Sequence, residues 1–183
     1  MVSHTGRLLV ATPMLADPNF ARSVVLVLDH DEAGALGVVL NRPTELPVQA
    51  VLPRWAQAVA DPALLFTGGP CQPEAGLGVA RVVGAGPPPA VKLLAGEYGL
   101  VDLDADPADV LGPVVGVRVF SGYSGWGSDQ LEAEIAEGSW LVVDVVPSDL
   151  LGAAPERLWR DVLRRQPGDL AFLATMPDDP NQN

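Results

Sequence analysis

Short runs of valine and leucine, each cut off by glycine, proline or acid before a helix could form, constrain this chain more than any other feature. The clearest are RLLVA (7–11), SVVLVLDH (23–30), ALGVVLN (35–41), GLGVARVV (76–83), VVGVRVF (114–120), SWLVVDVV (139–146) and DLAFLAT (169–175). β-Branched runs of this length are strand material, and runs apolar at every position suit strands buried on both faces. Nineteen glycines and eighteen prolines in 183 residues supply the breaks and exclude a helical bundle. Asp31-Glu32-Ala33-Gly34 separates two such runs and predicts a hairpin over 23–41. Leu64-Leu65-Phe66 predicts a further strand that ends in the turn Thr67–Pro70.

Helical signals are few and brief. Asp17-Pro18 opens a helical turn, and Val48–Val59 holds short pieces broken at Pro53. Asp106-Pro107 with Asp109 forms a second N-cap signature. A helix is predicted over 129–137, with Asp129 as cap, Glu132 closing a capping box, Leu131 and Ile135 facing inward and Gly138 ending it. A last helix runs from Pro155 to about Arg165, with Leu158, Trp159, Val162 and Leu163 as its apolar stripe. Gly84–Pro89 reads as a stiff loop and 121–128 as a glycine-rich one. Strands punctuated by single helices, without regular β-α-β alternation, predict an α+β fold with a mixed, strongly curved sheet. No repeat or dividing linker is present, so residues 1–176 form one domain and 177–183 a polar, loose tail.

Charge and cysteine usage remove several function classes. The formal charge of −12 opposes nucleic acid and anionic membranes alike. No apolar stretch approaches a membrane span, and the first residues carry no signal-peptide pattern. Cys71 stands alone, so neither a disulfide nor a thiolate metal site is expected, and a reducing cytoplasm is the natural setting.

Motifs for chemistry fall short one by one. Gly122-Tyr123-Ser124-Gly125-Trp126 lacks the last glycine of a nucleophile elbow, and only His4 and His30 could serve as its base. Cys71 beside a tight turn reads as a small buried residue rather than a nucleophile. Asp29-His30-Asp31-Glu32 places potential metal ligands in a row, but strand alternation splits them between two faces. No glycine pattern completes a phosphate loop, so no cofactor and no metal are predicted. Arg157, Arg160, Arg164 and Arg165 make a basic helix edge, diluted by Glu156 and Asp161. Two features stand out. Asn41-Arg42 ends the hairpin, and the loop 121–128 offers Tyr123 and Trp126 among small residues. Together Asn41, Arg42, Gly122, Tyr123, Gly125 and Trp126 form the predicted ligand or partner surface, with His30 as a secondary candidate and no catalytic residue. The plainer alternative makes the aromatics cover for a core edge.

The order GRLLVATPMLADPNFARSVVLVLDHDEAGALGVVLNRP (6–43), FTGGP (66–70), RVFSGYSGWGSDQLEAEIAEGSW (118–140) and LWRDVL (158–163) resembles the YqgE/AlgH family of small bacterial cytosolic proteins. The resemblance implies a single-domain α+β fold whose bifurcated sheet rolls into a pseudo-barrel flanked by a few short helices. It brings the label of a transcriptional regulator and no agreed catalytic residues. The positions it carries over are His30, Asn41, Arg42 and Pro43, Gly68 to Pro70, and Gly122, Tyr123, Gly125, Trp126, Gln130, Leu131 and Glu132. Cys71 stands where a small aliphatic residue is expected. The implied function is a non-enzymatic regulatory or binding protein working through an unidentified protein or small ligand, without direct contact with nucleic acid or membrane. An enzyme on a small metabolite is the alternative.

Overall fold

A computed structural model describes residues 1–84, 86–110 and 112–178. Its strands are β1 (Leu8–Ala11), β2 (Val24–Asp31), β3 (Gly34–Val39), β4 (Pro43–Pro47), β5 (Leu64–Thr67), β6 (Cys71–Val82), β7 (Val91–Ala95), β8 (Tyr98–Val101), β9 (Val114–Gly127) and β10 (Trp140–Val143). Among the described residues the α-helices are short: α1 (Val48–Val51), α2 (Gln130–Ala136), α3 (Pro147–Leu151) and α4 (Leu158–Arg164). The strand order is β10-β1-β2-β3-β9-β6-β8-β7, antiparallel throughout. The sheet forks at β9, where β5 joins in parallel at Phe66 and Phe120 and carries β4 on its far side. The result is the predicted α+β domain, a curled half-barrel with mixed pairing at the fork.

Alternation along β1 and β2 explains their unbroken apolar sequences. Leu8, Val10, Val24 and Leu26 enter the main core, packed under α4. Leu9, Ala11, Val25 and Val27 point the other way, into a second cluster with Trp126, Leu131 and Trp140. With both faces covered, each fully buried Val or Leu contributes about 1.5–3 kcal/mol, which outweighs the weak local propensities nearby. A third cluster around Val48, Trp55, Val117 and Val119 underlies the β6–β9 half of the sheet.

Three expectations are corrected. Residues 121–128 are not a loop; β9 continues to Gly127, pairing Tyr123 with Cys71 on one side and Trp126 with Ala35 on the other. Flanking strands on both sides override the low strand preference of glycine and serine. DLAFLAT is a 3-10 helix over Gly168–Thr175. Within DLAFLAT the exposed positions, Asp169, Phe172 and Thr175, are three apart, the period of that helix and not of a strand. Asp129 holds the N-cap position of α2, but its backbone is left-handed (φ 59°) and its side chain makes no cap bond; Gln130 Oε1 accepts the Gly127 N–H at 3.0 Å. Strands β4, β7 and β8 carry no period-2 apolar pattern and went unpredicted. Gly138, at φ 84°, follows the end of α2 as expected. The loop Gly84–Pro89 and the tail 177–183 lie partly outside the described residues.

Candidate functional site

The predicted surface does not assemble as one site. Trp126 is 6% exposed and donates its indole N–H to Glu134. Tyr123 is half-buried against the main core. Neither ring offers the open face that a ligand platform needs, because Phe20, Trp140 and Leu131 close over Trp126 and Tyr123 packs against the main core. Asn41 and Arg42 lie elsewhere, bonded to the turn that follows Asp17. Asn41 Oδ1 accepts from Val24 N–H at 3.0 Å, and its Nδ2 donates to Arg22 O at 2.9 Å. Arg42 donates to Pro18 O at 2.9 Å and to Ala21 O at 2.8 Å. The small cavities that Arg42 lines take in none of Gly122, Tyr123, Gly125 or Trp126.

His30 is 4% exposed, and both ring nitrogens are engaged. Nδ1 accepts from the backbone N–H of His4 at 3.1 Å, so the neutral ring carries its proton on Nε2, 2.8 Å from Glu132 Oε1. The rings of His4 and His30 stack at 5.4 Å. Burial, with the nearby His30 and Arg7, pulls the His4 pKa below the usual histidine value despite Glu132. Glu132 sits below the usual carboxylate range, held there first by a hydrogen bond from its own backbone N–H and then by His30. Asp29 and Asp31, exposed, point away from His30, as alternation predicts. No three metal-ligating side chains gather among the described residues.

A further cavity lies beside an irregularity in β6. Cys71 pairs with Tyr123 and Gly76 with Ser121, so Gln72-Pro73-Glu74-Ala75 bulges outward opposite Gly122 alone. Gln72 takes φ 44° to make the turn. Gly122 sits at φ 70°, where a Cβ would meet Gly69 O at 2.6 Å and Cys71 O at 2.8 Å. No other residue fits without moving the bulge. Ser121 donates its hydroxyl to Pro73 O and pins the bulge from below.

Between this bulge, the end of α1 and the end of β8 lies a groove of about 560 Å³. Leu52, Leu65, Leu77, Leu103 and Val119 form its floor, and Glu74, Asp102 and Asp104 stand on its rim. The far wall is braced, since Trp55 donates its indole N–H to Leu103 O at 2.8 Å and Arg54 bonds Ala105 O at 2.9 Å. Asp102 Oδ1 accepts the Asp104 N–H at 2.9 Å, which fixes the Asp102 carboxylate against the turn. A cavity of this size, apolar below and carrying one sign of charge above, suits a small amphipathic ligand. Pro73, just ahead of the run 76–83, was the one sequence signal of the bulge. The floor residues, scattered over 52–119, left none.

Buried Arg118 shows how the same half of the sheet is tied together. It is 2% exposed and donates to the carbonyls of Leu150 (2.8 Å), Asp61 (3.1 Å) and Gly152 (3.0 Å), with its guanidinium 4.4 Å over the Phe66 ring. Burial pushes its pKa down to about 10.

Comparison with known proteins agrees with the fold and with the motif segments. The AlgH-like family model matches residues 8–171. A UPF0301 protein of Streptomyces coelicolor is 55% identical over 186 residues, covering 99% of this chain and 96% of the relative. A UPF0301 protein of Mycobacterium tuberculosis is 47% identical over 183 residues, covering 98% and 91%. A crystal structure of a Corynebacterium diphtheriae protein superposes with a TM-score of 0.89 at 34% identity, covering 96% of this chain and 94% of that one. The solution structure of the AlgH protein from Pseudomonas aeruginosa gives 0.69 at 30% identity, covering 98% of both chains. On sequence and fold together, this chain belongs to the AlgH-like family.

Proposed function

We propose that this protein is a non-enzymatic binding protein that receives a small apolar ligand with a positively charged end in the groove beside the β6 bulge, and regulates a partner in response. One observation carries the reading: the leucine floor and the rim of Glu74, Asp102 and Asp104 occur together in one cavity of about 560 Å³. Apolar burial supplies affinity there, and three carboxylates select a cation over an anion. The polar groups that an enzyme reading would draw on are engaged by the fold. Ser124 donates to Gly68 O at 3.0 Å, Ser121 to Pro73 O, and His30 uses both nitrogens. Transcriptional effects, on this reading, pass through the ligand or a partner and not through DNA. A single cysteine and the charge of −12 fit a cytosolic protein that does not touch nucleic acid.

Calorimetry and thermal shift with matched alkyl- and aryl-ammonium and carboxylate series test the reading. The ammonium series is expected to bind and raise Tm, and Asp102→Asn with Asp104→Asn to weaken it about tenfold or more. Equal or tighter binding of the carboxylates overturns the assignment. Conversion of a bound compound, followed by mass spectrometry, establishes an enzyme instead.

A further inference from the structure

A second site shares no residue with the groove beside the β6 bulge. Arg22, Trp159 and Arg160 come together there from the turn before β2 and from α4. The Arg22 guanidinium stacks 4.5 Å over the Trp159 ring, with that of Arg160 at 5.9 Å. Both converge on one carboxylate oxygen, Asp178 Oδ1, at 2.7 and 2.9 Å. The same two side chains also donate to backbone carbonyls: Arg22 to Met176 and Pro177, and Arg160 to Ala174 and Met176. Cavities of about 490 and 330 Å³ flank this contact, and Asp178 borders both.

Asn41 and Arg42 set the geometry of this cradle. Arg22 sits at φ 56°, a strained conformation for an arginine. Asn41 Nδ2 holds the Arg22 carbonyl, and Arg42 holds the carbonyls of Pro18 and Ala21, which fixes the turn that aims Arg22 at Trp159. In a chain of charge −12 with eleven cations, two arginines directed at one carboxylate and a third bracing them is a concentration of positive charge. Asp178 itself is 84% exposed, so neither burial nor packing holds this acid in place. A strained residue, two stacked guanidiniums and open space beside them exceed what fastening an exposed end of chain requires.

We propose that the Arg22–Trp159–Arg160 cradle is a docking site for a short, extended acidic segment of a partner protein, and that Met176–Asp178 occupies it in cis. The recognised pattern is two or three backbone carbonyls followed by a carboxylate, which the guanidinium forks read by charge-assisted hydrogen bonds. A tethered segment competes at a high effective concentration. A partner segment therefore binds only by displacing Met176–Asp178, and its apparent affinity falls with the fraction of time the cradle is open.

Fluorescence anisotropy with a labelled peptide reproducing residues 174–180 tests this on the full-length chain. Asp178→Ala, which weakens the competitor in cis, is expected to bind the peptide about fivefold tighter than the native chain. Adding Arg22→Gly, which accepts the positive φ and so spares the fold, is expected to abolish binding, as is replacing the peptide's aspartates by asparagine. Equal affinity for the native chain and Asp178→Ala overturns the proposal, as does binding that survives Arg22→Gly. A native dimer that Asp178→Ala dissociates, seen by light scattering, would assign the cradle to a second copy of this chain and overturn the partner assignment.

Discussion

Trp126 donates its indole N–H to Glu134 Oε2 at 2.9 Å, and that oxygen also accepts from Trp140 at 2.8 Å. The two rings meet edge to face at 5.9 Å over Leu131, so a single carboxylate satisfies two indoles at the margin of the core. Trp126→Ala is expected to cost about 3–5 kcal/mol, the loss for truncating a buried large ring. Glu134→Ala is expected to cost roughly 1–3 kcal/mol by leaving two donors unpaired. Urea denaturation measures both, and a loss under about 1 kcal/mol for Trp126→Ala would restore a surface role for that ring.

Arg118 is a tie between β9, α3 and the segment before β5, made through carbonyls alone. Arg118→Met keeps the volume and removes every donor, stranding the carbonyls of Asp61, Pro62, Leu150 and Gly152. A loss on the order of 3 kcal/mol is expected, with Lys recovering only part because one ammonium cannot span these acceptors. Full recovery by Lys would show that charge, and not the fork, is what the fold uses.

Acid should loosen the N-terminal segment. His4 and Glu132 both bind protons more weakly in the folded chain than in the unfolded one. Their contributions are therefore present at neutral pH and lost on acidification. The decline begins below the ordinary histidine value of 6.5 and deepens below 4.5, where Glu132 adds to it. Denaturation midpoints across pH 7.5 to 4 would show this, and His4→Ala should flatten the upper part of the curve. An unchanged curve in that variant would remove His4 from the account.

Gly122→Ala is expected to cost roughly 1–3 kcal/mol, from a positive φ and from contact with two carbonyl oxygens. The β6 bulge must then shift, so ammonium binding at the groove should weaken beyond what stability alone explains. Unchanged binding would detach the bulge from the site.

Duplex DNA should not bind, even at low salt. Three of the four arginines of the basic helix edge pair with acids: Arg160 with Asp178, Arg164 with Asp161 and Arg165 with Asp149. Gel shifts at low ionic strength check this. Sub-micromolar binding that falls steeply with salt would be the contrary result.

The sequence alone determined the family, through motif segments spread over most of the chain, and it determined the hairpin 23–41 and the strand character of β1, β2, β3 and β10. Those runs were legible because burial on both faces demands apolar residues at every position, which composition records directly. It also marked Asn41-Arg42 as unusual, although not what they hold. Tertiary structure decided the rest. Residues 121–127 became strand only because β3 and β6 offer hydrogen-bond partners on both sides, and glycine and serine carry no local trace of such neighbours. Trp126 went inside because Phe20, Leu131 and Trp140 close over that face of the sheet. The groove joins Leu52, Leu65, Leu103 and Val119, and the cradle joins Arg22, Trp159 and Asp178. Neither set shares a period or a spacing along the chain, because contacts made by folding a sheet across its own fork leave no local pattern to read.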